Sequence, residues 1–220
     1  SREQKVGNLI LASRIKLGFL FAADYGASLR TDSPGLASGE QLTGEVTSDQ
    51  QKLLSRAFYS GGSLSNRGYA QNAIGPHGPI GFLLPTQVNC TLAVNFNSSS
   101  CIRPLGGFTL WEASLELRFA GLYPLTLVGF MDSSDVTRDL GNLQFKYPHL
   151  SVGPGLRYES PVGAIRLDIG IRVPGWQAIG KSELPRDHGL ERPLLFATCN
   201  QNGVCTGVPA AINLAIGDAF

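Results

Sequence analysis

Residues 162–173, VGAIRLDIGIRV, set Ile165, Leu167, Ile169, Ile171 and Val173 on alternate positions and place Arg166, Asp168 and Arg172 between them. A repeat of two belongs to an extended strand whose side chains point to opposite faces in turn, and it excludes a helix here. The pattern recurs. Residues 8–21 alternate Leu9, Leu11, Ile15, Leu17, Phe19 and Phe21 with Asn8, Arg14, Lys16 and Gly18. In 108–119, Trp111, Ala113, Leu115, Leu117 and Phe119 oppose Glu112, Ser114, Glu116 and Arg118. Residues 125–132, 149–160 and 212–220 repeat it, giving six predicted strands, with Asp132, Arg157 and Glu159 on polar faces.

The connections alternate in length: tight near Gly121, longer at 133–148, tight at 160–163, then long at 174–208. Antiparallel hairpins with short turns at one end and long loops at the other are the pattern of an all-β transmembrane barrel. A soluble β-sandwich also alternates. Its polar face meets bulk water and favours Thr, Ser and Lys, whereas here Arg recurs with Glu and Asp, as suits a confined lumen. The alternation favours the barrel and leaves the sandwich open.

Between the first and second strands, residues 22–107 read as one long loop. Its stretch FYSGGSLSNRGYAQNAIGPHGP (58–79) holds one arginine, Arg67, among glycines, prolines and tyrosines. That composition cannot make a helix or a central strand, and a long irregular segment in a compact protein is commonly functional. The preceding polar stretch offers at most a short helical turn at 49–54.

Composition narrows the partners. Charged residues make up 16% of the 220, and the formal net charge is +1, too little excess cation to neutralise a nucleic-acid backbone. No run approaches the roughly 18 apolar residues of a transmembrane helix; the best, Leu17–Ala23, lies between Lys16 and Asp24. The polar start at Ser1 carries no secretory signal, so further sequence is expected upstream. The cysteines fall into two close pairs, Cys90/Cys101 and Cys199/Cys205. Four cysteines allow three connectivities; pairing within each loop is the simplest and implies an oxidising compartment. The spacings are not those of a metal site, and His77, His149 and His188 lie far from both pairs, so neither metal nor cofactor is expected.

FYSGG followed by NRGY resembles a signature of the outer-membrane insertase and translocase superfamily, which includes BamA, TamA and the two-partner secretion transporters. LWEASLELRF (110–119), LVGFMDSSDV (127–136), SVGPGLRYESPVGAIRLDIGI (151–171) and INLAIGDAF (212–220) extend the resemblance in the family's order. The closest flavour is TamA. The resemblance implies the C-terminal part of a barrel of about sixteen strands in the bacterial outer membrane, entered about ten strands in and preceded by periplasmic POTRA modules. It implies assembly or translocation of unfolded or nascent outer-membrane or secreted proteins, contact with outer-membrane lipid, and a periplasmic or inner-membrane assembly partner.

It also assigns residues. The loop folds back into the lumen and Arg67, with Gly68 and Tyr69 of the motif, contacts Glu116 and Asp132 on the inner wall, while Gly61 and Gly62 support the turn. Where the family has Val before the arginine, this chain has Asn66. A turn centred near Gly121–Leu122 would bring Asp132 closer to Glu112 than to Glu116, four residues or about 13 Å away along the strand, so Glu112 stands as an alternative or additional receptor. Phe220 corresponds to the terminal aromatic by which such barrels are recognised for assembly.

No G-x-S-x-G, H-E-x-x-H or phosphate loop occurs, and no catalytic residue is assigned. Two other classes remain beside the assembly factor: a secreted disulfide-bonded sandwich acting as an adhesin or binding module, and a barrel-borne esterase using His149 or His77.

Overall fold

The structure is a computed structural model that describes residues 2–6, 8–23, 25–26, 44–78, 80, 103–145, 148–161, 163–173, 195–199 and 205–217. Seven of its strands form one antiparallel sheet: β1 (Arg2–Val6), β2 (Leu9–Phe19), β5 (Thr109–Leu122), β6 (Leu125–Thr137), β7 (His149–Ser160), β8 (Gly163–Arg172) and β11 (Ala210–Ile216), hydrogen-bonded in that order. Two short ladders stand apart, β3 (His77–Gly78) with β4 (Arg103–Pro104) and β9 (Leu195–Cys199) with β10 (Cys205–Val208). Strand β1 adds a seventh member that the sequence pattern did not foresee; REQKV lacks the apolar alternation and is paired through its backbone with Leu9–Ser13.

The sheet is the inverse of a soluble sandwich. Its apolar face is open: Ile15, Leu17, Leu117, Leu127, Met131, Leu167, Ile212 and Leu214 are exposed, Ile15 to 77%. Its polar face is the covered one, with Glu112, Glu116, Arg118, Asp132, Arg157, Arg166, Asp168 and Arg172 all buried. Exposed Leu and Ile beside buried Arg and Glu would be unstable in water. The arrangement is stable where lipid bathes one face and polar protein fills the other.

Three sequence expectations are corrected. The expected short turn at 49–54 is an eleven-residue helix, α1 (Gly44–Leu54). Leu53, near its end, meets Phe108 in a small cluster with Leu20, Ala22, Tyr25 and Ala57, so tertiary packing extends a helix that the polar sequence does not announce. Strand β6 runs to Thr137, beyond the expected end at Asp132. The β5–β6 turn lies at Tyr123–Pro124 instead of Gly121–Leu122, with a register shift between Phe119 and Leu122. This moves the opposing residue of Asp132 from the neighbourhood of Glu112 to Ser114. Among the described residues no helix is long and apolar enough to cross a membrane, a statement that concerns helices alone.

Candidate functional site

Residues 58–76 cover the polar face of the sheet. The segment is closed twice, by bridges from Phe58 to Gly107 and from Ser60 to Ile74. Gly61 and Gly62 take φ values of 101° and 98°, a region that side chains with a Cβ avoid. The Gly62 N–H points at the carbonyls of Asn66 (3.1 Å) and Tyr69 (3.2 Å), and the Tyr69 N–H donates to Asn66 O at 3.3 Å. Arg67 sits on this tightly wound turn.

The Arg67 side chain is 1% exposed. Nε donates to Asp132 Oδ2 and Nη2 to Asp132 Oδ1, both at 2.7 Å, a bidentate fork of the kind a guanidinium suits better than an ammonium. Nη1 donates to Glu116 Oε1 and lies 3.7 Å from Asp168 Oδ2. The Phe130 ring closes one side, 3.7 Å from the guanidinium carbon. Burial disfavours the cation, yet the hydrogen bond and charge of Asp132, followed by Glu116 and Asp168, outweigh it and hold Arg67 above its ordinary pKa. It stays charged at any working pH.

The backbone is held as well. The Arg67 carbonyl accepts from Asn213 Nδ2 of β11 at 2.8 Å, and the Gly68 N–H donates to Ser151 Oγ of β7 at 3.1 Å. Asn66 is fully buried and satisfied: it donates to His149 O (2.7 Å) and Ser134 Oγ (3.2 Å) and accepts from Ser151 Oγ (2.6 Å). An asparagine at this position therefore ties β6 and β7 to the loop by hydrogen bonds that Val lacks. Tyr69, with no exposed surface, packs with Ala73 and Ile74 and stands edge-on to His149 at 5.5 Å.

The sequence-assigned acids separate into two places. Glu116 and Asp132 meet Arg67, but Glu112 does not: it accepts from Ser65 Oγ and pairs with Lys16 at 3.4 Å. The reason is register. With Asp132 opposite Ser114 and Phe130 opposite Glu116, Asp132 and Glu116 lie diagonally across one face, within the reach of one guanidinium. The sequence reading missed Ser114, which donates to Asp132 Oδ1, and also Phe130, Ser151, Asp168, Gly170 and Asn213. Their signal was available in one respect: all occupy positions of the same parity as the polar residues of their strands. Gly170 matters by absence, since a Cβ there would lie 2.3 Å from Arg67 O.

Phe220, Cys90 and Cys101 lie outside the described residues. Cys199 and Cys205 are opposed across β9–β10, and their side chains also lie outside the description. Among the described residues no group of three His, Cys, Asp or Glu side chains is arranged to hold a metal.

An antiparallel sheet with an apolar outer face and a charged inner face, the latter covered by an arginine-bearing loop, is part of the wall of a transmembrane β-barrel. A model of the Omp85 superfamily domain matches residues 7–178, and the chain belongs to the Omp85 superfamily, a bacterial outer-membrane protein. Comparison with curated proteins yields no significant match. Among solved structures the chain is similar to the crystal structure of BamA from Haemophilus ducreyi lacking POTRA domains 1–3, with 18% identity and a TM-score of 0.44. That alignment covers 76% of this chain and 28% of the other, so the chain spans little more than a quarter of that structure's length.

Proposed function

We propose that this chain is the C-terminal part of the barrel of an outer-membrane factor that inserts or translocates other proteins, without catalytic chemistry of its own. In this reading residues 22–107 enter the lumen and are latched there by Arg67 on Asp132 and Glu116, and 174–208 form a second, extracellular loop. The physical task is to lower a kinetic barrier. A substrate strand entering lipid alone leaves its backbone N–H and C=O groups unsatisfied at several kcal/mol each, roughly, whereas pairing with a barrel edge satisfies them. The partners proposed are outer-membrane lipid, unfolded or nascent outer-membrane or secreted proteins, and a periplasmic or inner-membrane assembly component. Phe220 is proposed as the barrel's own assembly signal.

The observation that carries this reading is the seat of Arg67, where a loop residue contacts two acids from adjacent strands while its backbone is held by two further strands. Such a seat fixes the loop against the wall and makes its position sensitive to single charges. A disulfide between Cys199 and Cys205 is part of the proposal, supported by their direct opposition in β9–β10, which sets the Cα separation in the range a disulfide needs. The test is reconstitution of the whole protein into liposomes with an unfolded outer-membrane β-barrel substrate, scoring folded product by protease resistance. Folding faster than in empty liposomes, with most of the gain lost in Arg67→Ala, is expected. Equal rates with and without the protein would overturn the assignment.

A further inference from the structure

Beneath the loop, Arg67, Arg118, Arg157 and Arg166 gather around Glu116, Asp132 and Asp168. Arg118 is taken up by Glu116 at 2.8 Å, and Arg157 by Asp168 at 2.5 Å and Glu116 at 3.2 Å. Arg166 has no such partner among the described residues. It is 1% exposed; Nη2 donates to the Ser63 carbonyl at 3.1 Å, while Nε and Nη1 are buried and meet no acceptor. Directly opposite it in the β7–β8 ladder stands Arg157, whose Nε is likewise buried without an acceptor. Two like charges on paired residues, with three buried N–H donors unmet, is a costly arrangement unless an anion completes it.

We propose that Arg166, with Arg157, forms an anion site at the lumen wall that takes a small, hydrogen-bond-accepting anion. Its lone pairs receive Nε and Nη1 of Arg166 and Nε of Arg157. The site is coupled to the loop because the remaining donor of Arg166 holds Ser63, four residues before Arg67. The anion comes from solution and is of halide size.

The test is thermal unfolding of the whole protein in detergent at constant ionic strength, with sodium gluconate replaced stepwise by sodium chloride, for the parent, Arg166→Gln and Arg166→Lys. A saturable rise in Tm for the parent, absent in Arg166→Gln and weakened in Arg166→Lys, identifies an anion from solution. Gln still carries a donor for the Ser63 carbonyl, and Lys separates loss of charge from loss of shape should Gln fail to fold. The proposal is overturned by a chloride response that persists in Arg166→Gln. It is equally overturned if the Tm of the parent does not respond to chloride.

Discussion

Arg67 meets Asp132 twice over: its backbone N–H (3.1 Å) and its side-chain Nε (2.7 Å) donate to the same carboxylate oxygen, Oδ2. One acid on β6 thus fixes both where the loop's main chain lies and where its guanidinium points. Glu116, reached by Nη1, then sets the rotation of the fork, and the Phe130 ring fixes its plane.

Charge alone will not replace this contact. Arg67→Lys carries a point charge that cannot serve both oxygens of Asp132 and also Glu116. Breaking one side of a buried ion pair costs about 3–5 kcal/mol. Arg67→Lys is therefore expected to loosen residues 58–76 nearly as much as Arg67→Ala, while circular dichroism shows unchanged strand content. Limited proteolysis of the loop is the measurement, and a Lys variant as resistant as the parent would contradict the geometric reading.

Space is as decisive as charge. A Cβ on Gly170 would lie 2.3 Å from Arg67 O and 2.5 Å from Gly68 N, whereas one on Gly129 meets nothing within 4 Å. Gly170→Ala is expected to unseat the loop with every ionic partner intact, and Gly129→Ala to behave as the parent. Proteolysis of the two variants in parallel checks this.

The aromatic contact predicts a smaller effect. A desolvated cation–π contact contributes about 1–2 kcal/mol, so Phe130→Leu is expected to weaken the loop's seat by that amount, less than loss of Asp132. Comparing loop opening free energies in Phe130→Leu and Asp132→Asn tests the ranking.

His77 is expected to make its part of the loop sensitive to pH. Burial holds it below its ordinary value of 6.5, against a contact of Nδ1 with Gly75 O at 2.8 Å. The folded loop thus binds this proton less readily than the free chain. The stability it contributes is fully present above 6.5 and is lost as pH falls below that value toward the folded pKa. Protease resistance around residues 70–80 is expected to drop between about pH 7 and pH 5.5, and His77→Gln to flatten that dependence.

Strand existence and facing were legible because the alternation is strict where both environments are uniform. Leu167 and Ile171 face outward while Arg166, Asp168 and Arg172 face inward, as their positions require. Register was less legible. The turn at Tyr123–Pro124 with its irregularity after Phe119 shifts β6 along β5, and nothing in the hydrophobic pattern distinguishes such a shift when both candidate acids share a face. This is why Glu112 was a rival for Arg67 in the sequence and bonds to Ser65 in the fold. Strand β1 and helix α1 were hidden for a different reason: each is held by neighbours, through backbone pairing or through Leu53 on Phe108, and neither carries a periodic signature of its own.

Asp132 holds the loop against the wall, and hydrogen exchange across residues 58–76 in the parent and in Asp132→Asn reads that contact at its own atoms, because the Arg67 and Gly68 amides are themselves bonded to the wall. The predicted result is slow exchange in the parent and exchange faster by about a hundredfold or more in Asp132→Asn, as expected for loss of about 3 kcal/mol, with the β5–β8 amides unchanged. Equally rapid exchange in both proteins would contradict it.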